Sequence, residues 1–293
     1  MALNKATFRT RAISATIFAV VMLAGLLWNF WSFFILFSVI HFGCWKEFQK
    51  LIGLINKDYA AISSFHKYGV MITGWCFMLF FANDFKILSV SLHLVGLWAG
   101  LFFLIVLPLA EIIFVRKINL KIIGYSLLGL LYISLSWGLL TDIRSKLSGD
   151  ELMGDIFGKI LVILIVASIW INDTMAYIVG SLIGKTPFSK ISPKKTWEGT
   201  IGGIILAIVV MSLISYFAAS QFDWNNIQIF ASIAAIASIA GTIGDLLESK
   251  LKRMADVKDS GKILPGHGGF LDRFDSLLLA TPFVWVYFYF VMG

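Results

Sequence analysis

The chain has 293 residues, 59% of them hydrophobic and 14% charged, with a net charge of +7 and a mean hydropathy of +0.87. A soluble domain carries roughly 25% charged residues, so a soluble globular fold is excluded and an all-α polytopic membrane protein is expected. The two cysteines, Cys44 and Cys76, lie in apolar stretches and offer neither a disulfide framework nor a zinc site.

Nine apolar stretches can be marked, at about 12–28, 30–45, 68–82, 87–110, 122–140, 157–183, 199–219, 227–247 and 274–292. At ~20 residues per helical span they predict about nine transmembrane helices. Lys5, Arg9 and Arg11 ahead of the first stretch have the look of a signal peptide, but no small-residue cleavage site precedes Trp31, so a retained first helix is expected. With the N-terminus in the cytoplasm, 20 of the 24 Lys and Arg residues fall on the cytoplasmic side. The positive-inside rule then puts the N-terminus cytoplasmic and the C-terminus outside. It also accounts for the basicity without nucleic acid, for which no aromatic RNA-binding pattern or helix-turn-helix cue is present.

Residues 1–140 form a chemically quiet transmembrane region that reads as scaffold. Its charges sit in loops or at segment ends, Trp28, Trp31, Trp45, Trp75 and Trp98 suit interfacial belts, and His41, His66 and His93 read as isolated packing residues. Residues 141–293 form the C-terminal transmembrane region in which catalysis is expected. Its first part, 142–159, reads as an external loop with an interfacial helical turn.

The sixth apolar stretch carries Asn172, Asp173 and Thr174 in its interior, where a carboxylate costs ~2.5–3.5 kcal/mol on insertion scales. Asp173 reads two ways, as the partner of a basic residue on a neighbouring helix or as a metal or substrate contact in a polar cavity. Next, Ser192 followed by Pro193 reads as an N-cap and first helical position. That would put Lys194 and Lys195 in the first turn of the seventh helix, where free N–H groups and two ammonium groups make a phosphate site. The alternative is that these lysines only anchor a cytoplasmic helix end. Gly199, Gly202 and Gly203 read as allowing close helix packing.

The run Gly244 to Asp275 holds 12 charged residues between two apolar segments. Helical continuation of the eighth segment places Asp245, Glu248, Ser249 and Lys252 on one face. Asp272 and Asp275, three apart at the head of the ninth helix, can face one pocket, and such oxygen ligands suit Mg²⁺, with room for a second cation. Asp245, Asp272 and Asp275 are therefore the expected metal ligands, with Asp173 as a further one. Lys252, Arg253, Lys258 and Lys262 suit phosphate charge. The glycines around His267, including Gly268 and Gly269, let backbone amides approach an anion. A structural network in which the basic residues offset the carboxylates is the competing reading.

These residues carry a resemblance. The 27 residues Ser249-x-Leu251-Lys252-Arg253-x4-Lys258-Asp259-x-Gly261-x2-Leu264-Pro265-x-His267-Gly268-Gly269-Phe270-x-Asp272-Arg273-Phe274-Asp275 resemble the signature of the phosphatidate cytidylyltransferases, the CDP-diglyceride synthases. Ser192-Pro193-Lys194-Lys195-Thr196-Trp197-Glu198-Gly199 resembles a second block of that family. The resemblance implies a Mg²⁺-dependent membrane enzyme, facing the cytoplasm from a bacterial inner membrane, that converts CTP and phosphatidic acid to CDP-diacylglycerol and pyrophosphate as a homodimer. It implies Lys252, Arg253, Lys258, Asp259, His267 and Arg273 as catalytic, and Ser192, Lys194, Lys195, Thr196, Glu198, Gly268 and Gly269 as substrate-binding. The lipid phosphate is already ionised, so alignment and neutralisation of two anions suffice and no activated Ser, Cys or His is required. His267 reads either as a proton or phosphate contact or as a hydrogen bond that shapes its glycine turn.

Two other functions fit parts of the sequence. A CTP-dependent lipid kinase would use the same nucleotide and release CDP. An ion-coupled transporter would show matched broken helices in both halves, whereas the charges here crowd into the second half. The absence of its DGxxAR and GxxxDxxxD pattern weighs against a CDP-alcohol phosphotransferase.

Overall fold

The computed structural model describes residues 5–83, 85–114, 119–145, 151–222, 227–262 and 268–292. These form an all-α polytopic membrane protein with a single two-stranded ladder among the described residues. Six helical segments are long and apolar enough to cross a membrane, among the described residues: Leu92–Ile113, Leu120–Ser145, Ile156–Ile183, Trp197–Phe217, Ile227–Met254 and Leu271–Val291. By contact density the chain forms two compact units, Met1–Lys159 with Leu251–Phe274, and Ile160–Lys250 with Asp275–Gly293.

The first unit contains α1 (Lys5–Leu27), α2 (Phe30–Ile55), α3 (Lys57–Ala60), α4 (Ser64–Phe80), β1 (Lys86–Ile87), β2 (Val90–Ser91), α5 (Leu92–Phe114), α6 (Leu120–Gly129) and α7 (Leu135–Ser145). Asn29 starts α2 through a reciprocal cap with Ser32. The helix then buries Phe30, Phe33, Phe37, His41, Cys44 and Phe48 at three- and four-residue spacing. It packs against α1, α4 and α7, while α4 lies along α5. Leu88 and Ser89 take positive φ, 47° and 72°, between β1 and β2, the backbone that a two-residue hairpin turn needs.

A π-helical turn, Leu130–Ser134, joins α6 to α7. Within it the Ser134 hydroxyl accepts from Trp45 Nε1 at 2.8 Å and bonds His41 Nε2 at 3.1 Å. His66 lies between Glu111 Oε1 (2.7 Å) and Ser126 Oγ (2.8 Å), and His93 Nδ1 donates to the Phe80 carbonyl at 2.7 Å.

The loop expected over 142–159 is largely helical. Residues 142–145 complete α7 and 151–159 open α8 (Glu151–Ile183), while 146–150 lie outside the described residues. Asp142 and Arg144 are buried, with 4% and 1% exposure. Burial of Asp142 is tolerated because Asn83 Nδ2 donates to its Oδ1 (3.1 Å), and the same amide donates to Ser145 Oγ (2.7 Å).

The second unit is built from most of α8, α9 (Trp197–Phe222), most of α10 (Ile227–Met254) and α11 (Leu271–Met292) from Asp275 onward. Glycine lets α8 and α9 touch backbone to backbone. A Cβ on Gly203 would meet the Asn172 carbonyl at 2.7 Å, and one on Gly199 the Gly180 Cα at 2.9 Å.

Candidate active site

In the second unit, the segment between α8 and α9 is a hairpin. Phe188 N donates to the Lys195 carbonyl at 2.7 Å and Trp197 N to the Thr186 carbonyl at 2.9 Å, with Pro187 and Thr196 paired between them. This extended pairing holds Ser192-Pro193-Lys194-Lys195 in a turn, closed by Lys195 N on the Ser192 carbonyl at 3.1 Å. The helix therefore does not start at Ser192. Thr196 is its cap, its hydroxyl accepting from Gly199 N at 3.1 Å. Glu198, in the first turn, accepts from Thr186 Oγ1 at 2.8 Å and from the Lys185 and Thr186 amides at 3.2 Å. A carboxylate there suits the positive helix end and clamps the hairpin to it.

Beyond this hairpin the carboxylates gather. Asp245 and Glu248 lie one turn apart on α10, and Asp275 lies on α11. Gly244 permits the approach of the two helices, since a Cβ there would sit 2.5 Å from the Asp275 carbonyl. One oxygen from each of Asp245, Glu248 and Asp275 falls within 4.8 Å of the others. Glu248 and Asp275 are buried, with exposures of 0% and 7%. The Asp245 and Asp275 carboxyl groups come within hydrogen-bonding distance, and Lys195 forms an ion pair with Asp245. Asp173 of α8 is exposed and within electrostatic reach of Lys195 and Asp245. Its neighbour Asn172 donates to Thr242 Oγ1 at 3.4 Å.

Like charges brought together away from water repel one another. A divalent cation offsets both costs, and an all-carboxylate donor set suits Mg²⁺. Glu248 was not among the ligands expected from the sequence. Its signal was present in the three-residue spacing from Asp245.

The first unit holds most of the signature. Asp256, with φ of 53°, turns the chain out of α10. Lys252 Nζ donates to Asp272 Oδ1 at 2.7 Å, and Asp272 Oδ2 accepts from Gly269 N at 2.7 Å and from Ser260 N at 2.9 Å. Gly268 has φ of 84°, and a Cβ on it would also meet the Asp272 carboxylate at 2.6 Å. Only glycine accommodates both conditions. Asp272 is thus engaged by donors of its own unit, while Asp275 lies with Asp245 and Glu248. Arg253, Lys258, Asp259, Lys262 and Arg273 are exposed, as is Lys194 in the second unit. His267 lies outside the described residues. A residue absent from the sequence-level site, Glu47 of α2, also reaches this loop.

The sequence model of the cytidylyltransferase family matches residues 9–291. Over 164 residues the chain is 38% identical to a phosphatidate cytidylyltransferase of Bacillus subtilis, covering 56% of this chain and 57% of that protein. It is 49% identical over 116 residues to the phosphatidate cytidylyltransferase of Staphylococcus haemolyticus, covering 39% and 43% of the two chains. With that of Haemophilus influenzae it shares 39% over 137 residues, covering 46% and 48%. The chain thus spans about half the length of the curated relatives it matches.

Proposed function

The chain belongs to the cytidylyltransferase family, and on that premise we propose that it transfers the cytidylyl group of CTP to phosphatidate, giving CDP-diacylglycerol and pyrophosphate. The observation that carries this reading is the convergence of Asp245, Glu248 and Asp275 beside Lys195. A phosphatidate oxygen attacks the α-phosphorus of CTP. One P–O bond forms, the bond from the α-phosphorus to the bridging oxygen breaks, and pyrophosphate leaves with the electron pair. The nucleophile arrives ionised, so the residues have to align and neutralise rather than abstract a proton.

Lys194 and Lys195, on the turn before α9, are the groups for substrate phosphate, with Thr196 and Glu198 shaping that turn. Lys252, Arg253, Lys258 and Arg273 supply further positive charge from the signature, and Asp259 and His267 remain assigned to it through family resemblance. Asp245, Glu248 and Asp275 would hold Mg²⁺, which when bound neutralises phosphate oxygens and steadies the leaving pyrophosphate. Asp272 is instead engaged by Lys252, Ser260 and Gly269 of its own unit, and Asp173 is proposed for a second cation. The orientation proposed has about nine spans, with α1, α2, α4, α5, α6–α7, α8, α9, α10 and α11 crossing in turn. The N-terminus and the 185–196 and 255–270 segments then face the cytoplasm, where CTP is. The bilayer supplies the phosphatidate, and the assembly proposed is a homodimer in a bacterial inner membrane.

The test is incubation of the purified chain with phosphatidate vesicles, Mg²⁺ and CTP labelled separately in the cytosine and the γ-phosphate. Cytosine label in the lipid fraction with pyrophosphate release, abolished by EDTA, is expected. γ-Label in the lipid with CDP release would make it a lipid kinase. Label in neither lipid, with cation-driven solute uptake into vesicles, would make it a transporter.

A further inference from the structure

Glu47 stands in the C-terminal half of α2 among buried neighbours, Trp45, Phe48 and Leu51, and is itself only 6% exposed. A carboxylate so placed is costly unless donors satisfy it. Among the described residues, the three donors it meets come from the signature, more than 200 residues away. Ser260 Oγ approaches Oε2 at 2.7 Å, Leu271 N donates to Oε2 at 2.9 Å, and Phe270 N donates to Oε1 at 2.9 Å. The two amides open α11, where no preceding carbonyl can accept them. Glu47 therefore caps α11 from another helix.

Two further features show that the loop is shaped around this contact. A Cβ on Gly261 or on Gly269 would strike the Glu47 carboxylate. One turn earlier on the same face of α2, a Cβ on Gly43 would occupy the place of the Phe270 ring. Gly43 and Glu47 together thus make a socket for the start of α11. The contact extends to the charged groups of the signature, because Ser260 Oγ also lies 2.9 Å from Asp272 Oδ2, whose carboxylate holds Lys252. The hydroxyl has one proton for two carboxylates, so it bonds one while its oxygen stays against the other.

We propose that Glu47 is a positioning residue for cytidylyl transfer: it fixes Ser260 and the start of α11 and, through Ser260, the Asp272–Lys252 pair. The proposal rests on the reading that the signature carries the reaction. It makes the N-terminal helices part of the catalytic machinery rather than scaffold alone.

The test is Glu47→Gln in the full-length protein, reconstituted with lipid. Either orientation of the amide sets its NH₂ against a donor, so one of the two bonded faces is lost. Hydrogen exchange at the Phe270 and Leu271 amides is expected to rise on the order of ten-fold, as for loss of a hydrogen bond to a charged group. Exchange in α4 and α5 should be unchanged. The kcat should fall by a similar factor with the KM for CTP nearly constant, since alignment rather than binding is lost. Gly261→Ala gives the same readouts by displacing the carboxylate with its charge intact, and serves if Glu47→Gln does not fold. Faster amide exchange with wild-type kcat would reduce Glu47 to a structural cap and overturn the proposal, as would unchanged exchange. A wild-type chain that makes no cytidylated lipid would instead overturn the reading of the reaction.

Discussion

In the first unit, Glu47 and Asp272 are surrounded by donors: backbone amides, the Ser260 hydroxyl and the Lys252 ammonium. In the second, Asp245, Glu248 and Asp275 turn their oxygens toward one another beside Lys195. The same functional group therefore has opposite electrostatic surroundings a few residues apart in sequence. A carboxylate saturated by donors holds structure in place, whereas carboxylates that face each other store repulsion that a cation relieves. The two sets should respond in opposite senses to loss of one charge.

The largest effect is expected for Asp275→Asn. Turnover should fall by ~1,000-fold or more, about 4 kcal/mol in activation free energy, measured as cytidine label entering lipid. In EDTA the variant should unfold at a higher temperature than the wild type, because one of three crowded acidic groups is gone. The wild type should be stabilised by Mg²⁺ and the variant should not. Equal Mg²⁺ stabilisation of both would end the assignment of Asp275 as a ligand.

Asp272→Asn should do the reverse. Whichever way the amide turns, its NH₂ meets either Lys252 or the Ser260 and Gly269 amides, and a half-buried ammonium loses its counter-charge. A loss of about 3 kcal/mol of stability is expected in EDTA, the range for breaking a buried ion pair. Thermal unfolding by circular dichroism checks it, and a variant as stable as wild type would end the structural role given to Asp272.

The members of this contrast, though not the contrast itself, were legible beforehand. The spacing of Asp245, Lys252, Asp272 and Asp275 marked a densely charged stretch, and hydropathy marked the helices, because both are local properties of the chain. What spacing could not show is that Asp272 and Asp275, one turn apart, belong to different units with different partners. Nor could it show Glu47, whose donors lie more than 200 residues away.

A smaller effect is expected for Lys195→Gln, which removes the ammonium beside Asp245. A loss of ~1.5–3 kcal/mol in kcat/KM, the value of a hydrogen bond to a charged group, should accompany near-normal extraction and unfolding. Lys194→Gln should behave similarly, and wild-type turnover in both would return these lysines to helix anchoring. The smallest effect is expected for Thr196→Ala, about 1 kcal/mol of stability from loss of an N-cap. Ser192→Ala should cost less, since Thr196 takes the cap; the opposite order would contradict the start of α9.

The amino-acid sequence by itself determined that this is a helical membrane protein, where its apolar segments run, and that its charge is concentrated between Gly244 and Asp275. Those follow from composition, from periodicity, and from the cost of charge in lipid, all of which act over a few residues. Only the tertiary structure decided which carboxylates oppose one another and which are saturated. It also moved the α9 cap from Ser192 to Thr196 through the pairing of Thr186 and Phe188 with Trp197 and Lys195. And it joined Glu47 to the head of α11, because a buried carboxylate takes whatever donors the fold brings to it, and their distance along the chain leaves no trace in local pattern.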